Sequence, residues 1–264
     1  MPLVYLPHGG GPWPFMDPIV PAGSYDGLAT YLRRLPGVVS GTPEAILVVS
    51  AHWEEPTVSV MSSSTPPMFY DYTGFPPSTY QVRWPAPGAP VVADRARELL
   101  GRRGIPSVED AQRGFDHGVF VPLSLAWPAA EVPTLQVSLK RGLDPAEHLA
   151  IGRALAPLRD EGVLLIGSGM SYHNMRGFFG GVPTIREDSA AFDGWLAETV
   201  AMPAAEREER LIAWTAAPRA RACHPREEHL LPLMVVAGAA EGDQGSTPFR
   251  DEVLGAVVSA VHFG

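Results

Sequence analysis

Three short apolar runs constrain this chain more than any other feature: residues 3–6, 45–50 and 163–167. They are rich in Leu, Val and Ile with no polar alternation, the pattern of strands buried on both faces within a parallel sheet. Further strands are expected at 58–61 and 132–139. Helical patterns lie between them: 24–35 with Ser24 as N-cap, 89–103 ending at Gly104, 122–127, 145–161, and two helices across 187–214 broken near Pro203. Residues 225–237 read as another helix, with Pro225 in its first turn and Glu227 and Glu228 near the positive end of its dipole. The tail, 249–264, reads as a helix and an edge strand. The alternation predicts an α/β class: a single domain over 1–264, with a central mostly parallel sheet and helices on both faces.

Each of the three runs leads into a histidine. Residue 6 is followed by Pro7-His8-Gly9-Gly10-Gly11, residue 50 by Ala51-His52, and residue 167 by a Ser-Gly loop reaching His173. In open α/β sheets ligands bind at the carboxyl ends of strands, so His8, His52 and His173 can converge although they are far apart in sequence. Imidazole is a common neutral ligand for Fe, Zn, Cu and Ni. The segment His224-Pro225-Arg226-Glu227-Glu228-His229 offers more candidates; on a helix His224 and Glu228 share a face, and His229 points elsewhere. Residues 64–90, rich in Pro, Gly, Tyr and Phe, read as a long loop, with the aromatics either filling a core or walling a pocket.

Composition narrows the partners. The net charge of −9 argues against nucleic acid or an anionic membrane surface as partner, since both need a basic face. The one cysteine, Cys223, allows neither an intrachain disulfide nor a thiolate zinc site, and with no evident activating geometry it is expected to be inert. No signal-peptide pattern and no run of about 18 apolar residues is present, so the expected location is the cytoplasm. A homo-oligomer is left open. His148 is expected to be solvated on a helix face, His224 to pack at a helix start, and Glu227 and Glu228 have a sufficient role as acids in the first helical turn.

The ordered set of motifs resembles the class III extradiol ring-cleavage dioxygenases of the LigB type, closest to their DOPA 4,5-dioxygenase-like branch. The pieces are Pro7-His8-Gly9-Gly10, Ser50-Ala51-His52-Trp53, Tyr70-Asp71-Tyr72-Thr73-Gly74-Phe75-Pro76, Tyr80 with Pro85-Ala86-Pro87-Gly88, Phe115-Asp116-His117-Gly118, Gly167-Ser168-Gly169 with His173-Asn174, and Arg226-Glu227-Glu228-His229-Leu230-Leu231-Pro232. The resemblance implies a metal held by His8, His52 and His229, His173 as catalytic acid and base, and His117 as a histidine touching substrate. It implies Fe(II) for activity, O2 and a small DOPA-like catechol as partners, and a muconate-semialdehyde-type product. The loop over 64–88 would close one side of the pocket. Zinc outcompetes Fe(II) at such sites, so isolated protein can carry Zn(II). The wider superfamily has a glutamate as third ligand, and Glu228 stands beside His229. Two rivals follow from the same residues: a zinc hydrolase using His173 or Glu228 as base, and a non-catalytic metal-binding relative.

Overall fold

The computed structural model describes residues 1–17, 22–39 and 41–264. The three apolar runs become adjacent strands: β1 (Leu3–Pro7), β2 (Ala45–Glu55) and β6 (Val163–Gly169). With β5 (Thr134–Lys140) they make a parallel core in the order β5-β2-β6-β1. On one side β3 (Val58–Met61) joins β5 antiparallel and carries β4 (Ser107–Asp110) at its edge. On the other, β8 (Ala256–Phe263) and β7 (Gly245–Val253) add an antiparallel hairpin beside β1, giving eight strands in one sheet.

Helices cover both faces: α1 (Asp26–Arg34), α2 (Pro90–Arg102), α3 (His117–Ala126), α4 (Pro145–Leu155), α5 (Met175–Phe178), α6 (Ile185–Val200), α7 (Ala204–Ile212), α8 (Ala220–Cys223) and α9 (Leu231–Ala239). Two successive residues of β6 show the sidedness. A Cβ on Gly167 would fall against Pro232 of α9, whereas the Ser168 hydroxyl donates to the carbonyl of Gly118 in α3. Successive residues of a strand face opposite ways, so α9 and α3 clasp the sheet from opposite sides. Among the described residues no helix is long and apolar enough to cross a membrane.

Several elements depart from the sequence reading, each for a local reason. The helix expected at 122–127 starts five residues earlier, at His117, with Pro122 inside it. A proline there leaves the carbonyl of Gly118 without its helical donor, and Ser168 supplies one instead. The helix expected at 225 starts at Leu231, because Pro232 fits only a first turn. His224, Glu228 and His229 therefore lie in the turn before it rather than on helix faces. The tail forms the β7–β8 hairpin with no helix; Leu254 and Gly255 both take positive φ, 51° and 83°, as a tight hairpin turn requires. Ser24 does not cap α1, which begins at Asp26 after a turn closed by Asp26 N–H on the Gly23 carbonyl. His148, expected in solvent, is fully buried.

Candidate metal centre

His8 leaves the end of β1 and its backbone N–H donates to Gly169 at the end of β6, 3.1 Å away. Its Nδ1 donates to the Gly9 carbonyl at 2.7 Å, so in the neutral ring the lone pair sits on Nε2. Gly9 is required here: its φ is +82°, and a Cβ would stand 2.3 Å from the Trp13 indole nitrogen, which donates to the His8 carbonyl. β2 loses register with β5 between Val49 and Glu54, and His52 sits in that irregularity, freed from the regular ladder. Its Nε2 lies 3.2 Å from Nε2 of His8. His229 is fixed through its backbone, since its carbonyl accepts from the Tyr5 hydroxyl at 2.8 Å and from the Met170 N–H at 3.1 Å. Its Nδ1 donates to Glu228 Oε1 at 2.9 Å, and its Nε2 is buried without a hydrogen-bond partner.

These three rings form a nearly equilateral triangle, with centroid separations of 4.8, 4.9 and 5.2 Å. Burial, reinforced by the neighbouring histidines, holds all three well below the usual histidine pKa, so they are neutral. The lone pair of His8 Nε2 accepts from the His52 ring at 3.2 Å, a nitrogen-to-nitrogen contact that a bound cation would replace. Imidazoles about 2.0–2.1 Å from one divalent ion stand about 3.0–3.4 Å apart. The facing Nε2 atoms of His8 and His52 stand at such a spacing, and the orphaned Nε2 of His229 lies in the same cavity as a further unpartnered nitrogen donor.

Two more histidines adjoin the triangle, each tied to a carboxylate. His117 opens α3; its ring Nδ1 and its backbone N–H both donate to Asp71 Oδ1, at 2.8 and 2.9 Å. Asp71 Oδ2 lies 3.7 Å from His52 Nδ1, so one carboxylate faces two rings. His173 stacks on His229 with centroids 3.3 Å apart, and its Nδ1 is 3.3 Å from the same Glu228 oxygen that holds His229. Burial pushes the Glu228 carboxyl up, but its contacts with His173 and Arg226 outweigh this and leave it below the ordinary range. The donor atoms fall into two close sets, His8–His52–His117 and His173–Glu228–His229, each within 4.8 Å. The five histidines given site roles from the sequence are therefore together. Asp71 was not singled out there as a functional residue, although it stands between Tyr70 and Tyr72 in the long loop, and Tyr5 gave no signal because its hydroxyl works from inside a strand.

The five histidines line one end of a cavity of about 350 Å³. Tyr72 and Phe75 of the 64–88 loop wall one side, so that loop does border the site. Tyr80 instead packs in the aromatic cluster behind it, and Trp84 is buried against Phe115 with its N–H on the Trp127 carbonyl. The opposite wall, Met170 to Phe179 and the Val253-Leu254 turn, was not foreseen. His224 stays outside the cavity, with Nε2 on the Ser171 carbonyl at 3.0 Å. Cys223 is buried and its thiol is pushed up to about 12 by that burial, in keeping with an inert role.

Comparison with known proteins gives the family and the fold. Residues 5–262 match the model of the family described as the catalytic LigB subunit of aromatic ring-opening dioxygenase. A protein named 4,5-DOPA dioxygenase extradiol from Beta vulgaris is 44% identical over 77% of this chain and 75% of its own length. One of the same name from Escherichia coli K12 is 33% identical over 94% and 88%. Dioxygenase tasH of Hapsidospora irregularis is 34% identical over 100% of this chain and 85% of its own. The crystal structure of an uncharacterized protein from Escherichia coli K12 superposes with a TM-score of 0.81 at 29% identity, covering 100% of both chains.

Proposed function

The chain belongs to the family of the catalytic LigB subunit of aromatic ring-opening dioxygenases, and from that premise we propose that it opens the ring of a small catechol beside its two hydroxyls. Both atoms of O2 enter the product, a muconate semialdehyde, and the carbon–carbon bond adjacent to the diol breaks. The observation that carries this reading is the triangle of neutral imidazoles at the end of a pocket, with the Nε2 of His229 buried and unpartnered.

His8, His52 and His229 would hold Fe(II). When bound, Fe(II) lowers the pKa of a catechol hydroxyl and provides the electron transfer to O2 that ring opening needs. The residues then divide the remaining work. His173 lines the cavity with its Nδ1 turned to Glu228, which leaves Nε2 to take a hydroxyl proton and return it later. Glu228 orients His229 and His173 together through Oε1 and stabilises His173 when it is protonated, which makes it a positioning carboxylate. His117, fixed twice to Asp71, presents its other nitrogen to the substrate.

The test is anaerobic loading with Fe(II), then O2 uptake and visible absorbance with a set of catechols, using His173→Ala as control. Uptake with a yellow product, absent in the variant, is the expected result. No uptake with stoichiometric iron bound would overturn the reading in favour of a zinc hydrolase on the same histidines.

A further inference from the structure

We propose that the ring substituent of the substrate is apolar and uncharged, a short alkyl group, and not an amino-acid or carboxylate side chain. This rests on the ring-cleavage reading and narrows it, and it departs from the substrate in the names of several relatives.

Apart from the five histidines and the tyrosines Tyr25 and Tyr72, the side chains lining the cavity are apolar. Away from the histidines its wall is built by Met16, Phe75, Met170 and Phe178, and its mouth by Met175, Phe179 and Leu254. Met175 is 50% exposed and Phe179 82% exposed, so large apolar side chains are left facing water where a substituent would leave the ring. Leu254 is held at φ +51° at the tip of the β7–β8 turn, where Gly, Asn or Asp is the ordinary choice. A strained leucine beside a pocket points to a use for that side chain.

Among the described residues, no Arg, Lys, Asp or Glu lines the cavity. Arg176, which follows Met175, is exposed and is not part of the lining; four other charged groups near the cavity are engaged elsewhere. Asp71 and Glu228 accept from imidazoles. Arg226 makes a bidentate pair with Glu54, at 2.6 and 2.5 Å. Arg113 is paired with the buried Asp116. A carboxylate or ammonium brought into this cavity would lose water and find no partner of opposite sign, which costs free energy. An alkyl group would instead bury against methionine and phenylalanine. The volume of about 350 Å³ lies at the small end for ligand pockets, which suits one ring and a few carbons.

The experiment is anaerobic calorimetric titration of the Fe(II)-loaded protein with 4-methyl-, 4-ethyl- and 4-propylcatechol, with 3,4-dihydroxyphenylacetate and with DOPA, beside O2 uptake for each. Affinity is expected to rise about three- to fourfold per added methylene, and both charged catechols to bind at least about tenfold more weakly than the neutral ones. Phe179→Arg, at a position exposed enough to tolerate it, is expected to shift the preference toward 3,4-dihydroxyphenylacetate. Equal or tighter binding of the charged catechols by the wild type, or an affinity flat with chain length, overturns the inference. If the neutral series binds in the expected order and no O2 is consumed, the substrate class stands and the ring-cleavage reading falls. If O2 is consumed fastest with a charged catechol, ring cleavage stands and this inference falls.

Discussion

The carboxyl-end rim of the sheet and the molecule's flanks both bury histidines, and burial does not tell them apart. His8 on the rim is 2% exposed, while His148 in α4 is 0% and His262 in β8 is 7%. What differs is the state of the ring nitrogens. His148 uses both: Nδ1 donates to the Asp144 carbonyl at 2.7 Å and Nε2 accepts the Lys140 N–H at 3.1 Å. His262 Nε2 accepts the Tyr31 hydroxyl at 2.8 Å. On the rim, His8 and His229 each commit Nδ1 and leave Nε2 for the cluster. His224 is intermediate, with one nitrogen bonded and Nδ1 buried without a partner, yet no other imidazole nitrogen is grouped with it in a metal-binding set. A rim histidine thus differs from a flank one in keeping a ring nitrogen for the cluster, a mark that His117, pinned to Asp71 and grouped with His8 and His52, also carries.

The comparison breaks most visibly by substitution across it. Replacing His229 or His8 by Ala is expected to remove bound metal and with it all ring opening, measured by metal analysis and O2 uptake. His148→Ala should keep the metal and the activity and lose about 1–3 kcal/mol of stability by denaturant titration, because buried partners are left unsatisfied. If His148→Ala also empties the site, the distinction between rim and flank is wrong.

A second cut separates chemistry from ligation within the rim. His173→Ala should lower kcat by about 10²–10⁴-fold while metal content stays stoichiometric; co-loss of the metal would make His173 a ligand instead. A smaller effect is expected from the carboxylates. Asp71→Asn and Glu228→Gln should each weaken metal affinity by about 10- to 100-fold, read by competition with a chelator. Unchanged affinity in both would remove their positioning role.

The smallest effect sharpens the flank. Burial pushes His262 down to about 4. The unfolded chain, with an ordinary histidine near 6.5, takes up the proton first as pH falls. The stability tied to this neutral ring is therefore complete above pH 6.5 and is lost as pH drops from there toward 4. His262→Gln, which keeps an acceptor for Tyr31, should flatten the stability profile over that window by about 1–3 kcal/mol. A profile equally steep in the variant would assign the loss to other groups.

The sequence carried the parallel core plainly, because strands buried on both faces are continuous apolar runs, as in β1 and β6. It carried His8, His52 and His173 because each comes at or just beyond the end of an apolar run, while His117 and His229 were legible through the family motifs. The start of α9 was written in Pro232, but the acids at 227 and 228 imitated an earlier helix start. The hairpin tail was hidden because its turn uses Leu254, a residue that gives no turn signal. Asp71 and Tyr5 work through contacts across more than 40 and 220 residues of chain, from Asp71 to His117 and from Tyr5 to His229, and no local pattern announces such contacts.

The central claim is that His229, rather than His117, completes the metal site with His8 and His52. Anaerobic titration of His229→Ala and His117→Ala with Fe(II), followed by metal analysis after gel filtration, tests it most directly. The account predicts about one ion per chain retained by His117→Ala and none by His229→Ala; retention by His229→Ala with loss in His117→Ala would contradict it.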